Sequence, residues 1–306
     1  MPSDFSITII GSNSALAAQG RFPSAQYISY KSKHFLIDCG EGTQFRMNDF
    51  KVPKAHIEKI FISHLHGDHF YGLIGLLTSY SLSNRIKPIE IYTPKGLREI
   101  IELQSMYSDA HFTYEIIYKE TQALSNEVLF EDESICISSF PLKHRIPTTG
   151  FLFQEKVTER KLIKEKINSF DLSVDEIIQL KNQQNVVRND GTILSVEEFT
   201  HPITKARSYA YCSDTAYFEE IIPIIKNVDL LYHETTFDKN LVALAQKTNH
   251  STTLEAARIA SLAEVKQLMI GHFSSRYKHS EMLMDECKTI FDNTIIAIEG
   301  ETFYID

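Results

Sequence analysis

The sequence is poor in cysteine, with four in 306 residues. Cys39, Cys136, Cys212 and Cys287 are widely spaced, and no two of them form a C-x-x-C pair. This spacing argues against a disulfide framework and against a metal site built from thiolates. A reducing compartment fits such cysteines best, and we therefore expect a cytoplasmic protein.

The sequence also lacks long apolar segments. No uninterrupted apolar run approaches the roughly 20 residues that a bilayer requires, and residues 1–5 carry no basic region that would open a signal peptide. We expect a soluble and unprocessed chain. Its 306 residues, 43% of them hydrophobic, suffice for a large core in one sizeable domain or two small ones.

An excess of positive charge is missing as well, since the formal net charge is −9. Phosphate contacts need clustered Lys and Arg, so this balance argues against a protein that binds nucleic acid over its whole surface. Two bound divalent ions would add four positive charges in one pocket and move the net charge from −9 to −5. A polyanionic substrate would therefore have to be bound locally.

The chain contains two mixed halves of strands and helices. In the first half, strands are predicted over residues 5–10, 26–30, 34–38, 59–62, 89–92, 114–118, 134–140 and 150–153, with helices over 71–82 and 96–104. In the second half, strands are predicted over 209–213, 229–233, 267–270, 295–298 and 302–305, with helices over 218–225, 252–263 and 281–291. Two such halves predict an α/β protein in which two sheets pack face to face with helices outside, a four-layer αββα sandwich.

The character of the sequence changes at residues 155–207. A basic cluster occurs there, followed by a short amphipathic helix predicted over 174–180; the cluster consists of Lys156, Arg160, Lys161, Lys164 and Lys166. We interpret the chain, residues 1–306, as a single domain into which this segment is inserted as an arm. A solvated charged face is the alternative interpretation of the basic cluster.

The segment Ser-His-Leu-His-Gly-Asp-His at residues 63–69 carries the strongest chemical signal. His64, His66, Asp68 and His69 place four potential metal ligands on one tight turn, which Gly67 permits. Imidazole and carboxylate together suit Zn²⁺, with Mn²⁺ or Fe²⁺ as alternative occupants because no thiolate is present to select zinc. The other interpretation, a surface loop rich in histidine, has no packing rationale.

Further ligands are expected at the ends of later strands. His144 follows the strand predicted over 134–140, Asp214 ends Tyr-Cys-Ser-Asp, and His272 follows the strand over 267–270. Taken singly, a His or Asp at a strand end is more often a capped or solvated turn residue than a metal ligand. Together with the histidine-rich turn, they predict two metal ions roughly 3.5 to 4 Å apart that share a carboxylate and a water. Asp214 is the predicted bridge, and the site suits hydrolysis of phosphoryl or acyl esters.

A second pattern indicates proton transfer. Glu234 ends another predicted strand, and His250 lies just ahead of a predicted helix. A carboxylate that orients an imidazole can supply a general acid for a leaving oxygen. Both residues could equally be hydrogen-bonded structural groups, since an adjacent His-Glu pair at 233–234 is a weak motif by itself.

These motifs resemble those of the metallo-β-lactamase fold superfamily and, within it, the ribonuclease Z branch, the endonucleases that remove 3′ trailers from transfer-RNA precursors. The resemblance covers nearly the whole chain. It rests on DCGEGTQ at residues 38–44, SHLHGDH at 63–69, YCSDT at 211–215, HETTF at 233–237 and GHFSSRY at 271–277.

The resemblance implies roles for individual residues. It assigns His64, His66 and His144 to one zinc ion and Asp68, His69 and His272 to the other, with Asp214 shared. Asp68 would also act on the nucleophilic water, and Glu234 with His250 would protonate the departing 3′ oxygen. The transfer RNA would keep a 3′-hydroxyl and the trailer a 5′-phosphate. The resemblance further implies a homodimer.

Substrate contacts are less clearly marked. Arg276 could pair with a substrate phosphate or equally form a structural salt bridge. Bacterial members of the branch carry an arm with a Gly- and Pro-containing motif, whereas residues 155–207 contain no Gly-Pro pair, and Gly191 looks like a plain turn. Lys161, Lys164 and Lys166 are the predicted transfer-RNA contacts of this altered arm. Two other functions are considered: a hydrolase of small phosphodiesters or esters, and a non-catalytic binding protein, which would normally lack some of the seven ligands.

Overall fold

The computed structural model describes residues 4–156, 160–201 and 205–306. The chain divides into two compact units. The larger unit comprises Met1–Phe130, Ile137–Phe153 and Arg207–Asp306, and the smaller unit comprises Glu131–Cys136 and Gln154–Ala206. None of the helices in the described ranges is long and apolar enough to cross a membrane.

Strands supply most of the framework. Their bounds are β1 Phe5–Gly11, β2 Ala25–Tyr30, β3 Lys33–Ile37, β4 Lys59–Phe61, β5 Ile89–Thr93, β6 Ile116–Glu120, β7 Glu127–Glu131, β8 Ile135–Leu142, β9 Thr148–Glu155, β10 Val186–Val187, β11 Ile193–Leu194, β12 Ser208–Cys212, β13 Leu230–Glu234, β14 Gln267–Gly271, β15 Thr294–Ile296 and β16 Thr302–Tyr304.

The helices are mostly short. Their bounds are α1 Thr43–Asp49, α2 Gly67–Phe70, α3 Leu73–Leu82, α4 Leu97–Tyr107, α5 Lys164–Ser169, α6 Val174–Lys181, α7 Val196–Phe199, α8 Val242–Thr248, α9 Thr253–Leu262 and α10 Glu281–Lys288. Single 3₁₀ turns lie at Lys54–His56, Glu219–Ile221 and Lys239–Leu241.

Two large sheets form within the described residues. The first has the order β16-β1-β2-β3-β4-β5-β6, in which β16, β1, β2 and β3 pair antiparallel and β3 to β6 pair parallel. The second has the order β15-β14-β13-β12-β9-β8-β7, in which β12 to β15 pair parallel. Parallel neighbours end at the same edge of a sheet, so the turns that follow them converge.

Aromatic side chains join the inner faces of the two sheets. The rings of Phe35 on β3 and Phe153 on β9 lie 5.8 Å apart, and those of Phe61 on β4 and Phe151 on β9 lie 5.5 Å apart. The outer face of the first sheet is covered by α1, α3 and α4, which bury Met47, Leu77 and Ile101. The outer face of the second sheet is covered by α9 and α10. The predicted four-layer αββα arrangement is confirmed.

The smaller unit has a core of its own, formed by Leu180, Val186, Leu194, Val196 and Phe199. Helix α6 begins with a capping box, in which Ser173 and Glu176 satisfy each other's backbone N–H groups. Strands β10 and β11 form a hairpin, and Gly191 lies in its turn with φ of 84°. A residue with a side chain rarely adopts this angle, so glycine suits the turn predicted at this position.

One predicted helix of the larger unit is wrong. Residues 218–225 form only the single turn Glu219–Ile221. Their apolar residues gave a helix-like pattern, and Ile221 and Ile225 are indeed buried in the core beside the second sheet. Burial of a short connecting segment produced the same pattern as an amphipathic helix.

Candidate active site

The strand ends of the larger unit deliver the chemical groups to one place. Asp38 follows β3, the histidine-rich turn follows β4, His144 follows β8, Asp214 follows β12, Glu234 ends β13 and His272 follows β14. The turn at residues 63–69 continues into α2, a single helical turn that begins at Gly67. All seven predicted metal ligands therefore lie in segments that follow the ends of strands, and two of them, Asp68 and His69, belong to α2.

The first group consists of His64, His66, His144 and Asp214, whose ligand atoms all lie within 4.8 Å of one another. Nε2 of His64 is 3.0 Å from Nδ1 of His66, and Nε2 of His144 is 3.1 Å from the same atom. Three imidazole nitrogens thus converge on one point, with the Asp214 carboxylate beside them. Nitrogen and oxygen donors in this number suit a tetrahedral zinc ion.

The second group consists of Asp68, His69 and His272, again with ligand atoms within 4.8 Å. Oδ2 of Asp68 lies 3.7 Å from Nε2 of His69 and 3.6 Å from Nε2 of His272. The backbone N–H of Ala15 donates to the same Asp68 oxygen at 2.7 Å, which fixes the orientation of this carboxylate.

The Asp214 carboxylate lies between the two groups. Its Oδ1 is 3.1 Å from Nε2 of His69 and 3.0 Å from Nε2 of His272, whereas its Oδ2 is 3.4 Å from Nε2 of His64. One oxygen therefore faces each group, which is the geometry that a bridging carboxylate requires. Asp214 and His272 both have positive φ, 53° and 58°. Side chains other than glycine rarely adopt such angles, and strained residues of this kind cluster at functional sites.

The donor set fits metal ions better than it fits an internal hydrogen-bond network. Nε2 of His69 and Nε2 of His272 are buried, and although Oδ1 of Asp214 is close to both, neither nitrogen forms a well-aligned hydrogen bond with any residue in the described ranges. Leaving such groups unsatisfied is costly, and a metal ligand needs an imidazole nitrogen without a proton. Burial and the neighbouring imidazoles lower the pKa of His66 to about 4. Burial likewise lowers the pKa of His144 to about 4, so both rings are neutral and able to coordinate.

In His144 and in His272, the nitrogen that does not face the metal-ligand group, Nδ1, contacts another residue. Nδ1 of His144 lies 2.8 Å from the Asn249 carbonyl oxygen, and Nδ1 of His272 lies 2.9 Å from the Thr236 hydroxyl. Such contacts fix the tautomer and the orientation of a ligand ring.

Asp38 organises the histidine-rich turn from behind. Its Oδ2 lies 2.7 Å from Nδ1 of His69 and accepts hydrogen bonds from the hydroxyls of Ser63, at 2.9 Å, and Tyr211, at 2.7 Å. Its Oδ1 accepts from the backbone N–H of Ser63 at 2.8 Å. Asp38, Ser63 and Tyr211 are all buried, so this network holds His69 in one rotamer.

Glu234 and His250 form a separate pair at the edge of the second group. Oε1 of Glu234 lies 2.8 Å from Nδ1 of His250 and accepts from the Thr215 N–H, while Oε2 accepts from the Thr236 hydroxyl at 2.6 Å. Burial alone would lower the pKa of His250, but the Glu234 carboxylate raises it to about 9. The ligand atom of His250 also lies within 4.8 Å of those of Asp214 and His272.

A cavity of about 460 Å³ opens over these groups. His66, Asp68, Asp214, His250 and His272 line it together with Arg145, Arg276, Tyr71 and Glu41. Arg276 lies 5.1 Å from the ring centre of Phe237 and donates from Nε to the Ser274 hydroxyl. No acidic side chain within the described ranges pairs with it. Its guanidinium is thus placed at the cavity without a neutralising carboxylate.

The basic residues predicted to contact transfer RNA lie in the smaller unit. Lys156 pairs with Glu131, and Lys166 pairs with Glu198. Lys161 and Lys164 are exposed, and neither forms an ion pair with any residue that the structure describes. The fifth member of the basic cluster, Arg160, donates to the Thr200 hydroxyl. Lys161 and Lys164 are therefore the two exposed lysines of the cluster whose charge no described acidic side chain neutralises.

Sequence reasoning missed the supporting residues. It assigned no structural role to Asp38, Ser63, Tyr211 or Thr236. Asp38, Ser63 and Thr236 contact ligand rings, and Tyr211 contacts Asp38. The available signal was the position of Asp38 at a strand end, just before Cys-Gly-Glu-Gly. Tyr211 and Thr236 lie in the motifs at residues 211–215 and 233–237, but those motifs do not show which groups the two side chains contact.

Comparison with known proteins gives matches over different parts of the chain. A family model described as the anti-Pycsar protein Apyc1 matches residues 5–202, a range that stops before Asp214, Glu234, His250 and His272. A ribonuclease Z of Cytophaga hutchinsonii is 44% identical over 303 residues, which cover 99% of this chain and 96% of that protein. A ribonuclease Z of Bacteroides thetaiotaomicron is 38% identical over 296 residues, covering 97% and 94%.

The fold is also shared with a solved structure. The human short-form tRNase Z, ELAC1, superposes with a TM-score of 0.72 at 26% identity, covering 98% of this chain and 99% of that chain. The likeness to the ribonuclease Z proteins therefore includes both halves of the sandwich and every strand end that contributes to the site.

Proposed function

The chain belongs to the ribonuclease Z family, and from this membership we propose that it is a metal-dependent endoribonuclease that removes the 3′ trailer from transfer-RNA precursors. The observation that carries the proposal is the placement of Asp214 between two groups of histidines, beside a buried carboxylate–imidazole pair. The ligand groups would bind the phosphate through metal ions, and the carboxylate–imidazole pair would donate a proton to the leaving oxygen. Phosphodiester hydrolysis requires both functions.

We propose that the site holds two zinc ions, with Mn²⁺ or Fe²⁺ as alternative occupants. His64, His66 and His144 would hold one ion and Asp68, His69 and His272 the other, with one oxygen of Asp214 toward each. When bound, two such ions lower the pKa of a shared water and stabilise negative charge on phosphoryl oxygens.

The side chains of the chain itself perform the proton transfers. The Asp68 carboxylate, held by the Ala15 N–H, accepts a proton from the attacking water. On the leaving side, His250 donates a proton to the departing 3′ oxygen, and Glu234 orients and stabilises the protonated ring. The transfer RNA keeps a 3′-hydroxyl, and the trailer keeps the 5′-phosphate. Arg276 stabilises a substrate phosphate from the wall of the cavity.

The wider setting of the reaction is also proposed. We propose that residues 155–207 are an inserted arm of a single domain and that Lys161, Lys164 and Lys166 contact the body of the transfer RNA. Lys161 and Lys164 support this role, because both are exposed and lack acidic partners within the described residues. We further propose a homodimer in the cytoplasm, which light scattering of the purified protein and fractionation of cells would test.

One assay tests the reaction. Purified protein is incubated with a transfer-RNA precursor and with bis-p-nitrophenyl phosphate, each with and without a chelator. We expect cleavage of both substrates and loss of both activities with the chelator. Hydrolysis of the small diester with an intact precursor would instead identify a hydrolase of small phosphodiesters, and no reaction with either would identify a non-catalytic protein.

A further inference from the structure

Arg145 differs from the other arginines of the chain. Each of the others contacts an acid, a carbonyl or a hydroxyl; they are Arg21, Arg46, Arg85, Arg98, Arg160, Arg188, Arg207, Arg258 and Arg276. Arg145 is exposed, and its guanidinium has no hydrogen bond or ion pair with any residue in the described ranges. Yet it lines the cavity over the metal-ligand groups.

The backbone around Arg145 is fixed although its side chain is free. On one side, the Lys143 N–H donates to the Thr215 hydroxyl at 3.1 Å, and the His144 ring contacts the Asn249 carbonyl. On the other side, the Thr148 hydroxyl donates to the Ile146 carbonyl at 2.9 Å. Arg145 therefore projects from an anchored loop, and little backbone entropy is lost when the guanidinium binds a ligand.

No acidic side chain of the cavity neutralises Arg145 within the described residues, so its guanidinium is available to bind an anion from solution. Apart from the proposed ligands Asp68 and Asp214, the acidic side chain that lines the cavity is Glu41, and it forms no ion pair with Arg145 within the described residues. A guanidinium presents a fork of donors that matches two oxygens of a phosphate. In a chain of net charge −9, an arginine left without an acid at a cavity wall suits an anionic substrate.

Resting on the proposed function, we propose that Arg145 binds a phosphate adjacent in the RNA chain to the phosphate that is cleaved. Arg145 follows His144 directly, so its Cα lies about 3.8 Å from that of a proposed ligand. The cleaved phosphate is bound among the ligands themselves, and the Arg145 side chain extends from their edge toward the next phosphate. Arg145 is therefore a substrate-positioning residue that favours a polynucleotide over a small diester.

Three variants test this role: Arg145→Ala, Arg145→Lys and the control Lys143→Ala. Lys143 is a matched control because it is an exposed cation two residues away that does not line the cavity. For each variant, kcat and KM are measured with the precursor across a salt series and with bis-p-nitrophenyl phosphate, which carries no adjacent phosphate. Melting temperatures verify that the variants are folded.

We expect Arg145→Ala to raise KM for the precursor by about 10- to 100-fold, as loss of a charged hydrogen bond does. The salt dependence should flatten by about 0.7 in slope, the value for one phosphate contact on a single strand. Arg145→Lys should keep the slope but recover only part of the affinity, because it lacks the fork of donors. Lys143→Ala should match the parent, and the small diester should be hydrolysed at the parental rate by all variants.

A precursor with one methylphosphonate at a phosphate next to the cleavage site locates the contact. Neutralising the contacted phosphate should weaken binding to the parent and cause no further loss with Arg145→Ala. An unchanged KM and slope in Arg145→Ala would overturn the inference while leaving the proposed function intact. Equal losses on both substrates would also overturn it, since Arg145 would then act on the reacting phosphate. A parent that hydrolyses only the small diester would refute the proposed function, and this inference with it.

Discussion

Oε1 of Glu234 lies 2.8 Å from Nδ1 of His250, and this contact leaves Nε2 of His250 as the nitrogen able to donate a proton to substrate. We expect His250→Ala and Glu234→Gln to slow precursor cleavage by about 10²- to 10⁴-fold, the usual contribution of a general acid. Substrates with a nitrophenolate leaving group should be much less affected, because that group needs no protonation.

Metal content distinguishes this role from coordination. His250 lies close enough to Asp214 and His272 to serve as a ligand, so both variants should be analysed for bound metal. We expect parental metal content in both. Lost metal in His250→Ala, or equal rate losses on the two classes of substrate, would contradict a proton donor at this position.

Asp214 and His66 should behave differently, because both are proposed ligands. We expect Asp214→Ala to lose both ions, since each carboxylate oxygen faces one group, and His66→Ala to weaken mainly the group it shares with His64 and His144. Elemental analysis after dialysis measures this directly. His111→Ala provides the control, because His111 is an exposed histidine whose ion-pair contact is with Asp109 and not with either ligand group. Two retained ions with parental turnover in either variant would refute the assignment.

The network behind His69 should tune metal affinity without supplying a ligand. Loss of a partner that orients a ligand typically costs about 10- to 100-fold in affinity. We expect Asp38→Asn to show a loss of this size, because Asp38 contacts His69 directly, and Tyr211→Phe to show a smaller one, because Tyr211 acts through Asp38. Competition with a chromogenic zinc chelator measures both affinities. Parental affinity in Asp38→Asn would show that the contact does not orient the ring.

The basic cluster offers a comparison within one segment. We expect Lys161→Ala with Lys164→Ala to weaken precursor binding and to flatten its salt dependence by about 0.7 to 0.9 per lost contact. Lys166→Ala should have less effect on binding, because Glu198 already neutralises Lys166. Hydrolysis of a small diester should be unchanged in all of these variants. A parental salt slope in the double variant would show that these lysines do not touch RNA.

Much of the fold was predictable because it follows from local patterns. Strand β1 is buried along its whole length, and its apolar residues Phe5, Ile7 and Ile9 alternate with polar ones, as expected for a strand. Helix α9 begins with the capping box of Thr252 and Glu255. Helix α1 was not predicted, since its polar sequence after Gly42 resembles a loop. Strand β7 was missed as well, because none of its residues is fully buried and its sequence does not alternate between apolar and polar residues.

The sequence by itself determined the chemistry of the site. His64, His66, Asp68 and His69 lie within six residues, so one turn after a strand brings them together whatever the rest of the chain does. The parallel strands β12 to β14 then place Asp214 and His272 at a common edge, which the alternation of strands and helices already indicated.

Only the tertiary structure decided how these groups are held and which of them remain free. The contact between Tyr211 on β12 and Asp38, which follows β3, connects the two sheets through residues that are 173 positions apart in sequence. Asp214 has one carboxylate oxygen toward each histidine group, an arrangement built from residues of four separate strand ends. Arg145 lacks a partner because no acid in the described ranges packs beside it. Such relationships depend on how two sheets pack and on where each loop is anchored, and residue patterns along the chain do not encode distances of this kind.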